Sequence, residues 1–153
     1  ICFPGGKREE GESPQECALR ETWEETGISP ERVNVISQLD MMINYSNVAM
    51  YAFLGTVEAE ALDELKLNPD EVEEVFLVPL DFLMENEPDI YWTKVVPQPP
   101  EDFPYDLVTG GEPYKWRRGK TPVPVYREYE GKVIWGFTAR ITKRFVDIIK
   151  GGN

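Results

Sequence analysis

Gly6-Lys7-Arg8-Glu9-Glu10-Gly11-Glu12-Ser13-Pro14-Gln15-Glu16-Cys17-Ala18-Leu19-Arg20-Glu21-Thr22-Trp23-Glu24-Glu25-Thr26-Gly27-Ile28 is the stretch on which the reading of this chain turns. Ser13, Pro14 and Glu16 make a helix start: a hydroxyl cap, a proline whose missing N–H costs nothing in the first turn, and a capping-box carboxylate three residues after the cap. Gly27 ends the helix. At about 100° per residue, Leu19, Thr22, Trp23 and Thr26 fall on one side, expected to face inward. Glu21, Glu24 and Glu25 share a sector roughly 100° wide opposite them.

That acidic face carries a cost. Glu21 and Glu25 stand at i, i+4 and Glu21 and Glu24 at i, i+3, where like charges destabilise a helix by about 0.2–0.5 kcal/mol per pair. A divalent cation removes the cost, and hard cations such as Mg²⁺ take one or two carboxylates together with water and phosphate oxygens. The other use of a charge run is a solvated helix face. The full pattern favours the cation.

Gly6, Glu12, Arg20, Glu21, Glu24, Glu25, Gly27 and Ile28 match Gly-x5-Glu-x7-Arg-Glu-U-x-Glu-Glu-x-Gly-U, the Nudix box, where U is a bulky aliphatic residue. At a usage of about 7% per residue type, the fixed positions agree by chance with a probability of ~10⁻⁸ per register. The chain therefore resembles a Nudix hydrolase. The resemblance implies an α/β fold, an α/β/α sandwich around a mixed β-sheet, and hydrolysis of a nucleoside diphosphate linked to another moiety. It also implies Mg²⁺ or Mn²⁺ held by Glu21, Glu24 and Glu25 with a carbonyl at Gly6, and a structural salt bridge between Glu12 and Arg20. Thr22 departs from the pattern, standing where an aliphatic residue is usual. This bears on packing and substrate, not on reaction type.

A chain of 153 residues with 41% hydrophobic residues has the size and core content of one domain, here 1–153. Its net charge of −12 argues against a nucleic-acid polymer as partner and makes an anionic substrate depend on cations. With no histidine, His-ligated zinc, Ser-His-Asp hydrolysis and Cys-His proteolysis are excluded. Cys2 and Cys17 lack metal-ligand spacing and fit a reduced, cytoplasmic setting; no apolar run is long enough to span a membrane. Ile1-Cys2-Phe3 reads as the end of a strand, so at least one N-terminal strand is expected to lie outside this sequence.

Beyond the box, Val33–Leu39 and Asn47–Val57 read as paired antiparallel strands with Asn44–Asn47 as their turn. An acidic linker, Glu58–Glu74, leads to a strand at Val75–Pro79. Glu73 or Glu74 is a candidate extra ligand or base facing the box, against the alternative of a solvated acidic loop. Leu80–Met84 reads as a short helix and Ile90–Val96 as a strand. Seven prolines between Pro97 and Pro124 make that segment too irregular for an element interior, and a loop of this length suits a lid or a substrate-specific insertion. Near its end, Lys115, Trp116, Arg117 and Arg118 gather bases beside an indole. With Arg8 they are the candidate substrate contacts, able to grip a phosphate and stack on a base, or simply to balance charge. Val125–Tyr129 and Lys132–Phe137 read as a hairpin, and Thr138–Lys150 as a helix burying Ile141, Phe145, Ile148 and Ile149.

Within the family, Phe3-Pro4-Gly5-Gly6 before the box, Arg20-Glu21-Thr22 inside it, and residues 70–80 followed by Ile134–Ala139 are similar to the coenzyme A pyrophosphatase subgroup. That similarity implies coenzyme A as substrate, adenosine 3′,5′-bisphosphate and 4′-phosphopantetheine as products, and a ribose 3′-phosphate received by the basic loop. The alternatives are an ADP-ribose or other nucleoside-diphosphate pyrophosphatase, and a domain that binds a nucleotide to regulate without catalysis. Intact Glu21, Glu24 and Glu25 speak against the last.

Overall fold

The computed structural model describes residues 1–43 and 47–151, and the chain is an α/β protein whose strands form three antiparallel pairs. Helix α1 (Pro14–Thr26) carries the capping box read from sequence: Ser13 Oγ accepts from the Glu16 N–H at 3.2 Å, and the Glu16 carboxylate accepts from the Ser13 N–H at 2.7 Å. A 3₁₀ turn (Pro30–Arg32) then leads into β1 (Asn34–Gln38), which pairs with β4 (Phe53–Thr56). A bulge between Val35 and Ser37 breaks the register and leaves Ile36 exposed. Between them β2 (Met42–Ile43) pairs with β3 (Ala49–Met50), so the run read as one strand over Asn47–Val57 is interrupted at Tyr51–Ala52. Of the turn read over Asn44–Asn47, only Asn47, at φ 60°, lies within the described residues.

Short helices follow: α2 (Glu60–Asp63) and α3 (Leu80–Glu85). The expected strand at Val75–Pro79 does not form. Among the described residues the segment finds no ladder partner, and Val78 instead packs by its side chain on the core, joined there by Leu83 of α3. Strand β5 (Asp89–Val95) pairs over its whole length with β6 (Gly119–Val125), and the short α4 (Tyr105–Thr109) lies between them in sequence. Helix α5 (Gly136–Ile149) closes the described chain.

Strand β6 corrects the reading of residues 97–124 as irregular throughout. Tyr126 donates its N–H to Ile134 O at 2.8 Å, away from β5. By the two-residue period of a strand, the N positions of Pro122 and Pro124 point the same way, so the two prolines cost the β5–β6 ladder nothing. The hairpin read over Val125–Phe137 is reduced to two bridges, Val125–Trp135 and Tyr129–Lys132. Its turn has Glu130 and Gly131 both at positive φ (49° and 78°), the combination a two-residue I′ turn demands.

Tyr126, Ile134 and Ala139 form the core cluster. On α5 the buried positions are Ala139, Thr142 and Val146, while Ile148 and Ile149 are exposed. The buried stripe is thus turned from the one expected, because the smaller residues let α5 approach the Tyr126 layer closely. Each of the buried threonines satisfies its hydroxyl on its own helix: Thr142 on Thr138 O at 2.9 Å, and Thr26 on Thr22 O at 2.5 Å. Contacts distant in sequence tie the C-terminal helix to the N-terminal half: Thr138 donates to Ile1 O at 3.1 Å, and Arg144 pairs with Asp40.

Candidate active site

The box folds as a loop laid over the acidic side of α1. Arg20 is the hub. Its Nε donates to Glu12 Oε1 at 2.8 Å and Nη2 to Glu12 Oε2 at 3.2 Å, a two-pronged grip that planar guanidinium and carboxylate groups favour. Nη2 also reaches Lys7 O at 3.2 Å, fastening the loop backbone to the helix. The far oxygen of Glu12 accepts the Glu9 N–H at 2.9 Å. These bonds, Arg20 first and Glu9 second, pull the Glu12 carboxyl down from the usual 4.5 to about 2, and Glu12 in turn raises the Arg20 guanidinium.

Glu21 and Glu24 converge on the same guanidinium nitrogen, each 2.9 Å from Arg20 Nη1. One cation therefore already offsets part of their repulsion. Glu25 goes elsewhere, accepting the Gly5 N–H at 3.2 Å. The glycine loop approaches Glu21 so closely that a Cβ built on Gly6 would lie 2.4 Å from Glu21 Oε1. At Gly6 it is the place of the Glu21 carboxylate that a side chain would disturb, since its φ is not in the left-handed region.

Sequence reading missed Cys17. It is buried on the acidic side of α1, between Glu21 and Glu24 on the helical wheel, donating its S–H towards Gly6 O at 3.8 Å. Burial, and then the Glu12 charge, push its thiol up, so it serves as a neutral spacer under the loop. The wheel position was the available signal. Trp23 corrects the reading in the other direction: expected inward, it is 55% exposed and lines a shallow depression with Leu19 and Pro30.

The C-terminal end of α1 is clamped as well. Gly27 is left-handed at φ 77° and caps Trp23 O, while the Lys66 and Asn68 N–H groups reach Thr26 O at 2.9 Å and Glu25 O at 3.1 Å. The acidic linker thus starts its turn at the end of the box helix, with Asn68 Nδ2 bonded to Glu71 Oε2 at 3.1 Å. Farther along, Glu74 pairs with Lys132, whose ammonium also lies over the Phe76 ring, and Glu73 is exposed. Among the described residues, neither bonds to the box.

Arg8 is exposed in the loop. Trp116 sits in an aromatic cluster, edge-on to Phe103 and Tyr114, its Nε1 donating to Tyr105 OH at 3.3 Å. Lys115, Arg117 and Arg118 are exposed and, among the described residues, enter no ion pair. No hydrogen bond, ion pair or ring contact of residues 115–118 reaches the box among the described residues.

The NUDIX domain model matches residues 1–95, more than half of the chain and including the whole box. The chain belongs to the Nudix family. Among its relatives, the peroxisomal coenzyme A diphosphatase NUDT7 of Mus musculus is 36% identical over 104 residues, 67% of this chain and 42% of that protein. Nudix hydrolase 3 of Caenorhabditis elegans is 38% identical over 87 residues, 56% of this chain and 36% of that protein. An RNA pyrophosphohydrolase of Cereibacter sphaeroides is 50% identical over 43 residues, 28% of this chain and 26% of its own. The chain thus spans less than half the length of these relatives.

Nudix hydrolases generally use divalent metals. Among the described residues no group of three or more Cys, Asp or Glu side chains stands together at metal-binding distance, since Glu21 and Glu24 are drawn to Arg20 and Glu25 to Gly5. The donor set nevertheless fits such an ion: carboxylate oxygens from one helix face, two of them already gathered on a cation, and a glycine that leaves room beside Glu21. No helix among the described residues is long and apolar enough to cross a membrane.

Proposed function

We propose that this chain, as one domain over 1–153, hydrolyses a nucleoside diphosphate linked to a second moiety, with coenzyme A as the substrate. The observation that carries the reading is the acidic face of α1 held against the glycine loop by Arg20 and the Gly5 N–H. Glu21, Glu24 and Glu25, with the Gly6 carbonyl, are the residues that would hold a magnesium or manganese ion. Bound there, such an ion supplies neutralisation of the diphosphate charge and a more acidic water. A box glutamate, or Glu73 or Glu74 from the linker, takes the proton of the attacking water. The new O–P bond forms as the anhydride O–P bond breaks, and the leaving phosphate departs with the electron pair.

Coenzyme A is favoured by the motifs shared with that subgroup and by the name of the mouse relative. Its products would be adenosine 3′,5′-bisphosphate and 4′-phosphopantetheine. The substrate is a small nucleotide rather than a nucleic-acid polymer or a membrane, in keeping with the net charge of −12. Two free cysteines fit a reducing compartment, the cytoplasm, with the peroxisome of the mouse relative as the alternative that cell fractionation separates. Mass spectrometry of products formed in ¹⁸O-labelled water, with coenzyme A, 3′-dephospho-coenzyme A and ADP-ribose as substrates, tests the reading. Faster turnover of coenzyme A supports it. Equal rates on all three would leave a general nucleoside-diphosphate pyrophosphatase, and no turnover of any would leave a binding domain.

A further inference from the structure

Strand pairing puts two lysines face to face at the open end of the β5–β6 ribbon. Lys94 is the register partner of Lys120, one step along from Trp92 opposite Pro122. Because the even-numbered N–H positions of β6 point away from β5, as Tyr126 shows, 94/120 and 92/122 are non-hydrogen-bonded pairs, the kind whose side chains stand closer together. Like charges directly opposite destabilise a sheet. A protein with 28 acidic residues has ample means to neutralise such a pair, yet neither lysine enters an ion pair among the described residues.

The same face changes character along its length. At one end Pro124 and Tyr126 are buried, Tyr126 packing with Ala139 of α5. Towards the other end Trp92 is 62% exposed, and Lys94 and Lys120 are exposed beyond it. Arg118 is two residues before Lys120, just outside β6. An exposed indole beside unpaired ammonium groups has the chemistry to stack on a base and hold a phosphate.

We propose that Trp92, Lys94 and Lys120 form a binding site for a nucleotide carrying a phosphate monoester, the base against the indole and the phosphate between the lysines. The assignment takes from the preceding reading only the nucleotide class of the ligand; it requires no hydrolysis. Titration calorimetry without divalent cation, with adenosine 3′,5′-bisphosphate, AMP and adenosine as probes, tests it. The bisphosphate binds most tightly and adenosine least. Lys94→Gln and Lys120→Gln each weaken bisphosphate binding about tenfold, the loss of one charge-assisted contact, and Lys94→Arg retains it. Trp92→Ala weakens all three probes. The glutamine variants keep or raise the melting temperature, because they relieve the like-charge pair. Unchanged bisphosphate affinity in the double glutamine variant, or no binding of any probe to the wild-type protein, overturns the site. Failure of hydrolysis with binding intact would instead count against the catalytic reading alone.

Discussion

The box and the β5–β6 ribbon treat charge in opposite ways. In the box, four carboxylates and one guanidinium lie within a few turns of chain and answer one another: Glu12, Glu21 and Glu24 on Arg20, and Glu25 on the Gly5 N–H. In the ribbon, pairing between distant segments sets Lys94 against Lys120 with no carboxylate partner among the described residues. A closed network holds its members at fixed places before any ligand arrives, which suits groups that must be oriented for chemistry. An open cluster keeps its charge for what it binds. The difference teaches that, in so acidic a protein, an unanswered base is the more informative residue.

The largest effect should come from the closed side. Glu25→Gln retains an amide oxygen able to accept the Gly5 N–H, so it removes charge while leaving the tie between loop and helix. Turnover of the preferred diphosphate is expected to fall by about 10²-fold or more, with the melting curve unchanged. Near-full turnover would remove Glu25 from the catalytic set and blur the contrast with the ribbon. Gly6→Ala is the next in size. Its methyl would collide with the end of a flexible side chain, the Glu21 carboxylate at 2.4 Å, which can swing aside at small cost in stability. Turnover should then fall by about 10–100-fold, as when a supporting contact of a metal ligand is lost. A large loss of stability without loss of turnover would mean that the close approach serves folding only.

These two regions also mark how far the sequence could be read. The cap, the stop at Gly27 and the clustering of Glu21 with Glu24 depend on spacing within one helix and were legible from it, whereas the Glu12–Arg20 bridge between loop and helix was implied only by the family resemblance. The burial of Cys17 depends on the glycine loop lying over that face of α1, which the wheel alone does not show. Trp23 shows that apolar character alone does not decide burial: it is exposed, while Thr26 on the same side of α1 is buried. In the ribbon the prolines hid a strand. Counting them argued for a loop, whereas their shared parity places both on the edge away from β5, and parity is visible only once the partner is known. Val75–Pro79 is the converse case: its composition is strand-like, but among the described residues it joins no ladder and Val78 packs on the core by its side chain.

A smaller effect sharpens the electrostatic half of the comparison. Glu12 titrates at about 2 in the folded chain against a usual 4.5. A depressed carboxyl contributes stability that is present above the unfolded value and is lost as pH falls from 4.5 towards 2. Urea unfolding at a series of pH values should therefore show the wild type losing its advantage over Glu12→Gln across that window. Parallel curves for the two proteins would mean that the Arg20 grip is no tighter in the folded state than solvation is in the unfolded one.

The smallest expected change tests the parity argument for the ribbon. If the Pro122 nitrogen faces away from β5, then Pro122→Val restores an N–H to an unpaired edge and removes nothing from the ladder. Stability should stay within about 0.5 kcal/mol of the wild type. What changes is the edge itself: a strand able to donate there becomes a template for another strand, and proline is one of the devices that prevents this. Sedimentation at increasing protein concentration should show the variant self-associating where the wild type does not. A sizeable rise in melting temperature with no self-association would mean that the restored N–H had found a carbonyl on β5. The strand would then be flipped, Lys94 and Lys120 would form a hydrogen-bonded pair with side chains farther apart, and the open cluster would lose the geometry that lets two lysines share one phosphate.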